Sequence, residues 1–130
     1  MDIYSFDKVS VIADRRPVTG FFEGSAVKIE YNEDSIMPKV GLDGTVSYAG
    51  NANRSAKVTF SLSQDSASLP LLRKLARDRK AFPLVVRDAT EGSGFLLQSE
   101  DCAVLKVPGL ERGKETTGGE IAIFVPRADI

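Results

Sequence analysis

The sequence predicts a mainly β, α+β-type domain, a sandwich or barrel with one helix on its flank. Three observations carry this. Apolar and polar residues alternate in short segments along most of the chain. A single stretch, SASLPLLRKLARDRK over residues 66–80, has helical spacing instead. Residues 40–46, VGLDGTV, are a turn signal with two unusually long arms.

The elements follow in order. Lys8–Ala13 and Ala26–Tyr31 alternate, and Ala56, Val58, Phe60 and Leu62 line one side of Ser55–Ser63. In 66–80, Ser66 or Ser68 is placed to cap, Pro70 suits the first turn, and Leu69, Leu72, Leu75 and Ala76 form an apolar stripe. Further strands are expected at Phe82–Arg87, Phe95–Gln98, Asp101–Val107 and Glu120–Val125, set off by Gly- or Pro-containing breaks. A polar loop, Glu111–Gly119, separates the last two.

Asp43-Gly44 reads as a two-residue type I′ turn, which needs positive φ at both positions. Leu42 then faces Thr45, and Val40 faces Ser47. Carried outward, the register sets Tyr31 against Ala56, Ile29 against Val58 and Val27 against Phe60. The alternate face pairs Glu30 with Lys57, Lys28 with Thr59 and Ala26 with Ser61, and Glu33 falls opposite Arg54. A one-residue slip would mix apolar and polar faces. Each arm, from Ala26 to the tip, would extend about 55 Å. A domain of this size is only roughly 36 Å across. The ribbon therefore bends at a bulge near Asn32–Met37 and Gly50–Asn53, or it projects. A projecting ribbon that carries Ile36, Met37, Val40, Leu42, Val46 and Tyr48 wants a partner.

Composition limits the chemistry. The 130 residues suffice for one domain with a real core, and a net charge of −1 gives no global pull toward nucleic acid. No apolar run approaches a bilayer crossing, no secretory signal pattern opens the chain, and the single Cys102 excludes an internal disulfide. There is no His, so the commonest general base and most metal and nucleophile–His arrangements are missing. Cys102 reads as an inert, semi-buried thiol, and Glu33-Asp34 as a turn rather than an acid pair. No catalytic, cofactor or metal site is expected. The cations of RKLARDRK, residues 73–80, are a solvated helix face or a docking surface for an acidic protein partner or nucleic acid. Lys28, Glu30, Lys57, Thr59 and Ser61 are an ordinary solvent face or the wall of a water-filled lumen.

Six pieces stand in a telling order: YSFDKV before a strand, NED, the G-x-D-G turn, SAKVTFSL with the helix start SQDSASLPLL, RDATEG, and EDCAVLKVPGLERGKE before a last apolar strand. In this order and spacing the chain resembles the tail tube proteins of contractile-tailed phages, over essentially its whole length. Ala122, Ile123 and Phe124 stand where that family often has a Trp. The resemblance implies a single tail-tube domain over residues 1–130: two packed antiparallel sheets, a flanking helix and a long protruding β-hairpin.

It further implies hexameric rings that stack into a hollow tube inside a contractile sheath, through which phage DNA enters the host. Val40, Gly41, Leu42, Asp43, Gly44, Thr45 and Val46 would then serve ring stacking. Lys28, Glu30, Lys57, Thr59 and Ser61 would face the lumen, and Arg73, Lys74, Arg77, Arg79 and Lys80 the sheath. Four strands from each of six subunits would leave a bore of roughly 40 Å between backbones. The implied partners are further copies of the chain, the sheath protein, tube initiator or baseplate and terminator proteins, and genomic DNA that passes without sequence-specific binding. No membrane is involved; the setting is the virion tail, assembled in the host cytoplasm. The rival readings are a tube protein of a bacterial contractile injection or secretion system, and a monomeric β-sandwich binding module.

Overall fold

Alternation becomes pleat along most of the chain. The computed structural model describes residues 9–22, 27–92, 94–109 and 118–129. Its elements are β1 (Val9–Ala13), β2 (Arg16–Pro17), β3 (Lys28–Tyr31), β4 (Ile36–Val40), β5 (Val46–Gly50), β6 (Ala56–Ser63), α1 (Leu69–Asp78), β7 (Phe82–Asp88), β8 (Phe95–Lys106) and β9 (Gly118–Val125). Lys8, Ala26 with its expected pairing to Ser61, and residues 111–117 of the expected loop lie outside the described residues.

Among the described residues every strand pair is antiparallel; β4 and β5 pair only with each other, and the other strands make two sheets that share β8. One sheet runs β2-β1-β7-β8 and the other β8-β9-β6-β3. The two strands expected at Phe95–Gln98 and Asp101–Val107 are thus one strand with a kink. Its first part, through Cys102, pairs with β7, and from Ala103 it pairs with β9. Between Ser99 and Cys102 it carries one residue more than β7 does between Leu84 and Phe82, and Asp101 sits there at φ 59°. That bulge turns the strand from one layer to the next. A second bulge before Lys106 leaves Leu105 exposed.

The core lies between the layers. Val11, Leu84, Val86 and Leu97 from one sheet meet Val58, Phe60, Leu62, Ile121 and Ile123 from the other. Leu69, Leu72 and Leu75 of α1 join the same cluster, as their spacing predicts. Cys102 is fully buried, which pushes its thiol pKa up and leaves it inert.

Two local expectations are corrected. Ser68 stands at the N-cap of α1 as expected, but its side chain makes no cap bond: the Ser68 hydroxyl accepts from the Thr19 amide at 2.9 Å, and the Ser66 hydroxyl donates to the Thr19 carbonyl. Those bonds tie the helix start to the strand-edge segment after β2 instead. The described two-residue turn with positive φ at both positions is Asp14-Arg15, at 50° and 65°, closing β1 on β2 between Ala13 and Arg16. It joins β1, whose alternation the sequence shows, to a two-residue strand too short to show any.

Candidate assembly surface

Near the root, the predicted register holds: Tyr31 pairs with Ala56, Glu30 with Lys57, Ile29 with Val58 and Lys28 with Thr59. At the tip it is one residue off. Val40 pairs with Val46 rather than Ser47, Pro38 with Tyr48 and Ile36 with Gly50. The loop has three residues, Leu42, Asp43 and Gly44. The Gly44 amide donates to the Gly41 carbonyl at 3.0 Å, and the Gly41 amide to the Thr45 carbonyl at 2.7 Å. Gly44 alone takes positive φ, at 84°, so the tip is a type I turn with a glycine bulge and not a type I′ turn. Asp43 accepts from the Thr45 amide at 3.0 Å, and that bond holds its carboxyl below the ordinary value.

The slip sorts the side chains. Directly paired residues share a face, so Ile36, Pro38, Val40, Val46 and Tyr48 lie together, with Met37, Lys39, Ser47 and Ala49 opposite. The expected register would have set Val40 beside Ser47. Every residue from Tyr31 to Gly50 is exposed, including Val40 at 70 % and Tyr48 at 73 %. The ribbon both bends at its root and projects.

The extra residue that shifts the register lies in the returning arm. Asn32 pairs through its amide with the Ser55 carbonyl at 3.0 Å, and the Asn51 amide with the Ser35 carbonyl at 2.8 Å. The outgoing arm takes three steps between those bonds and the returning arm four. Side chains take up the donors that the ladder loses there: Asn51 Oδ1 accepts from the Asn53 amide at 2.9 Å and Asn53 Oδ1 from the Ser55 amide at 3.0 Å. Glu33 meets Asn53 here, not Arg54. Arg54 instead donates to Ser35 and Tyr31, both at 3.3 Å, and its Nε stands 3.6 Å from Asp129. The Tyr31 hydroxyl donates to the Ala128 carbonyl at 2.6 Å, and the Ala128 amide to the Arg54 carbonyl at 2.9 Å. The root is thus latched to the segment after β9. The sequence signal was present in NANRS, where two Asn residues invite consecutive side-chain turns.

Lys28, Glu30, Lys57, Thr59 and Ser61 do fall on one face of the second sheet. β3 and β6 pair Lys28 with Thr59 and Glu30 with Lys57, and Ser61 pairs with Glu120 of β9. Lys28 and Glu30 form an exposed ion pair at 3.4 Å. Lys106, aligned with Ala122, extends this mixed-charge face onto β8.

Of the helix cations, Lys74, Arg77, Arg79 and Lys80 are exposed, whereas Arg73 is half-buried with Nη2 shielded from solvent and without a hydrogen-bond partner. The expectation that all five stand free on one face is corrected for Arg73. Arg79 ends the helix at φ 51°, with its amide on the Ala76 carbonyl at 3.3 Å and the Lys80 amide on the Leu75 carbonyl at 3.1 Å. Glycine normally fills that position. Among the described residues no cluster of His, Cys, Asp and Glu could hold a metal ion, and no helix is long and apolar enough to cross a membrane.

Comparison with known proteins gives this architecture a setting. No protein-family model matches the chain. It is 32 % identical over 106 residues, 76 % of its length, to Structural protein ORF10 of Pseudomonas phage KPP10, and the matched region spans 61 % of that relative. Three solved structures share the fold at 8–9 % identity. A chain in the tube-terminating cap of the anti-feeding prophage superposes with a TM-score of 0.65, over 99 % of this chain and 90 % of that one. A chain in the sheath/tube terminator of the extracellular contractile injection system PVC gives 0.62, over 99 % and 96 %. One in the PVC sheath–tube complex gives 0.60, over 94 % and 86 %. The protein thus has a mainly β fold of two antiparallel sheets that also occurs in contractile injection systems.

Proposed function

We propose that this protein is a structural component of a contractile phage tail, and specifically a subunit of its tube. The observation that carries the reading is the projecting ribbon: β4 and β5 set Ile36, Pro38, Val40, Val46 and Tyr48 on one face and leave it uncovered. A monomeric binding module gains nothing from such a ribbon, which exposes apolar area and unpaired strand edges. In a ring of identical subunits the same face becomes an interface. Similarity to a phage structural protein and the fold shared with contractile-system chains support the setting.

The role is mechanical. Six subunits would close the second sheet into a continuous barrel, with β3 of one copy beside the tail of β8 in the next. The hairpin tip, Val40 to Val46, would reach the adjacent ring. Lys28, Glu30, Lys57, Thr59 and Ser61 would line the bore, where paired charges hold DNA less tightly than a basic wall would. The cations of α1 would meet the sheath, and initiator or baseplate and terminator proteins would set the tube's ends. Assembly would take place in the host cytoplasm and the product would reside in the virion tail, with no enzymatic step and no cofactor.

A second reading rests on the two terminator structures among the neighbours: the chain would then form one closing ring rather than a stack. Negative-stain electron microscopy of the purified protein separates the two. Hollow filaments with six-fold end views support the tube subunit, and single rings that never stack support the terminator. A monodisperse monomer at all concentrations, with or without a tail initiator, would overturn both.

A further inference from the structure

Charge is unevenly spread along this chain. Residues 14–16 and 73–80 hold seven of its 17 cations and two of its 18 anions. Those eleven residues carry +5 and the remainder −6, although the sequence separates the two groups by more than fifty positions. The fold brings them together. The Asp14 amide bonds the Pro83 carbonyl at 3.0 Å, which sets the β1–β2 turn beside the end of α1. Between turn and helix lies a cleft of about 690 Å³. Arg16, Lys74 and Lys80 line it together with Asp14 and Asp78, the latter ion-paired to Arg77 at 3.8 Å, and Pro70 and Leu71 give it an apolar floor.

A second observation points to the same place. Arg79, between the lining residues Asp78 and Lys80, stands at φ 51°, a conformation that glycine adopts without cost and an L side chain adopts only at some expense. Local stability would favour glycine there, so the guanidinium group is held at the cleft at some cost to the helix end.

We propose that this cleft receives an acidic, amphipathic segment of a partner protein, its carboxylates on Arg16, Lys74, Lys80 and the adjoining Arg79 and its apolar side chains on Pro70 and Leu71. A nucleic acid fits less well. The cleft holds no aromatic ring for base stacking, and a duplex presents phosphates to ridges of cations rather than apolar groups to a floor. The inference extends the reading in which α1 faces the sheath, and it rests on that reading only for the name of the partner. The site itself is read from the isolated chain.

The test is fluorescence anisotropy with a labelled helical peptide in which Glu and Leu occupy opposite faces, beside a 20-base-pair duplex as the competing probe. The wild-type protein should bind the peptide more tightly than the duplex, and salt should weaken the complex. Lys74→Glu with Lys80→Glu should weaken peptide binding by about tenfold or more. Arg79→Gly guards against misfolding as the explanation: it should raise the melting temperature yet weaken the peptide complex by about threefold. Undetectable peptide binding, variants that bind like wild type, or tighter binding of the duplex would overturn the proposal. Tube formation by the same variants, followed in the microscope, reports separately on the tube reading.

Discussion

The guanidinium of Arg54 lies 5.0 Å over the ring centroid of Tyr31, and that stacked pair stands where the projecting hairpin leaves the body. Tyr31 closes the last regular pair with Ala56, and its hydroxyl continues to Ala128. Arg54 reaches forward to Ser35 and back to Asp129. Removing either side chain should therefore loosen the ribbon's angle more than the fold. Arg54→Ala should cost about 1 kcal/mol, from a half-exposed stacked cation, and Tyr31→Phe about 1 kcal/mol, from the lost hydrogen bond. Urea unfolding gives the stability loss. Faster hydrogen exchange at the Asn32 and Asn51 amides would place it at the root.

Gly44 has no atom within 4 Å of the position a Cβ would take, so a side chain there has room and only the backbone objects, at φ 84°. Gly44→Val should destabilise the tip by about 1–2 kcal/mol while leaving the body's unfolding midpoint unchanged. Tubes of that variant should be short or absent. Gly44→Asn, which tolerates this conformation, should restore them.

Arg15 supplies the opposite case. It holds the second loop position of a two-residue turn at φ 65°, where glycine is preferred. Arg15→Gly should stabilise the isolated protein by about 1 kcal/mol, measured as a shift in the urea midpoint at unchanged slope.

How much of this was legible beforehand depends on the element. Ile29, Val58 and Phe60 announced their face because a sheet with one buried side sorts its residues by parity, and Leu69, Leu72 and Leu75 announced theirs by helical spacing. The tip misled because Asp43-Gly44 suits two loops. As a type I′ pair it gives one register, and with Leu42 as a type I turn and glycine bulge it gives the neighbouring one. The choice falls to Val40, Pro38 and Tyr48, whose sorting onto one face requires the second. The kink in β8 was hidden because Asp101 takes a positive φ that its residue type only weakly signals. Arg54 was invisible as a latch because its partners, Tyr31, Ser35 and Asp129, are remote in sequence.

Phe60 is 2 % exposed and meets Phe21 edge-on with ring centroids 5.7 Å apart. Truncation leaves a cavity between the two sheets that neither can close by moving alone. Phe60→Ala should cost about 3–5 kcal/mol by denaturant unfolding.

Asp43 makes the tip sensitive to acid. Its carboxyl is held below the ordinary value of 3.8, first by the Thr45 amide, so the charged form favours the closed turn. That support is complete above the ordinary carboxylate range and is lost as pH falls through the lowered value. The Thr45 amide resonance should titrate with a midpoint under 3.8, and Asp43→Asn should abolish the titration.

The central claim is that the ribbon from Ile36 to Gly50 finds its cover on a neighbouring copy. Hydrogen–deuterium exchange of this segment, compared between dilute monomer and assembled protein, tests it most directly. The account predicts rapid exchange at Val46 and Tyr48 in the monomer and strong protection once rings or tubes form. Assemblies in which these amides exchange as fast as in the monomer, or a monomer in which they are already protected, would contradict it.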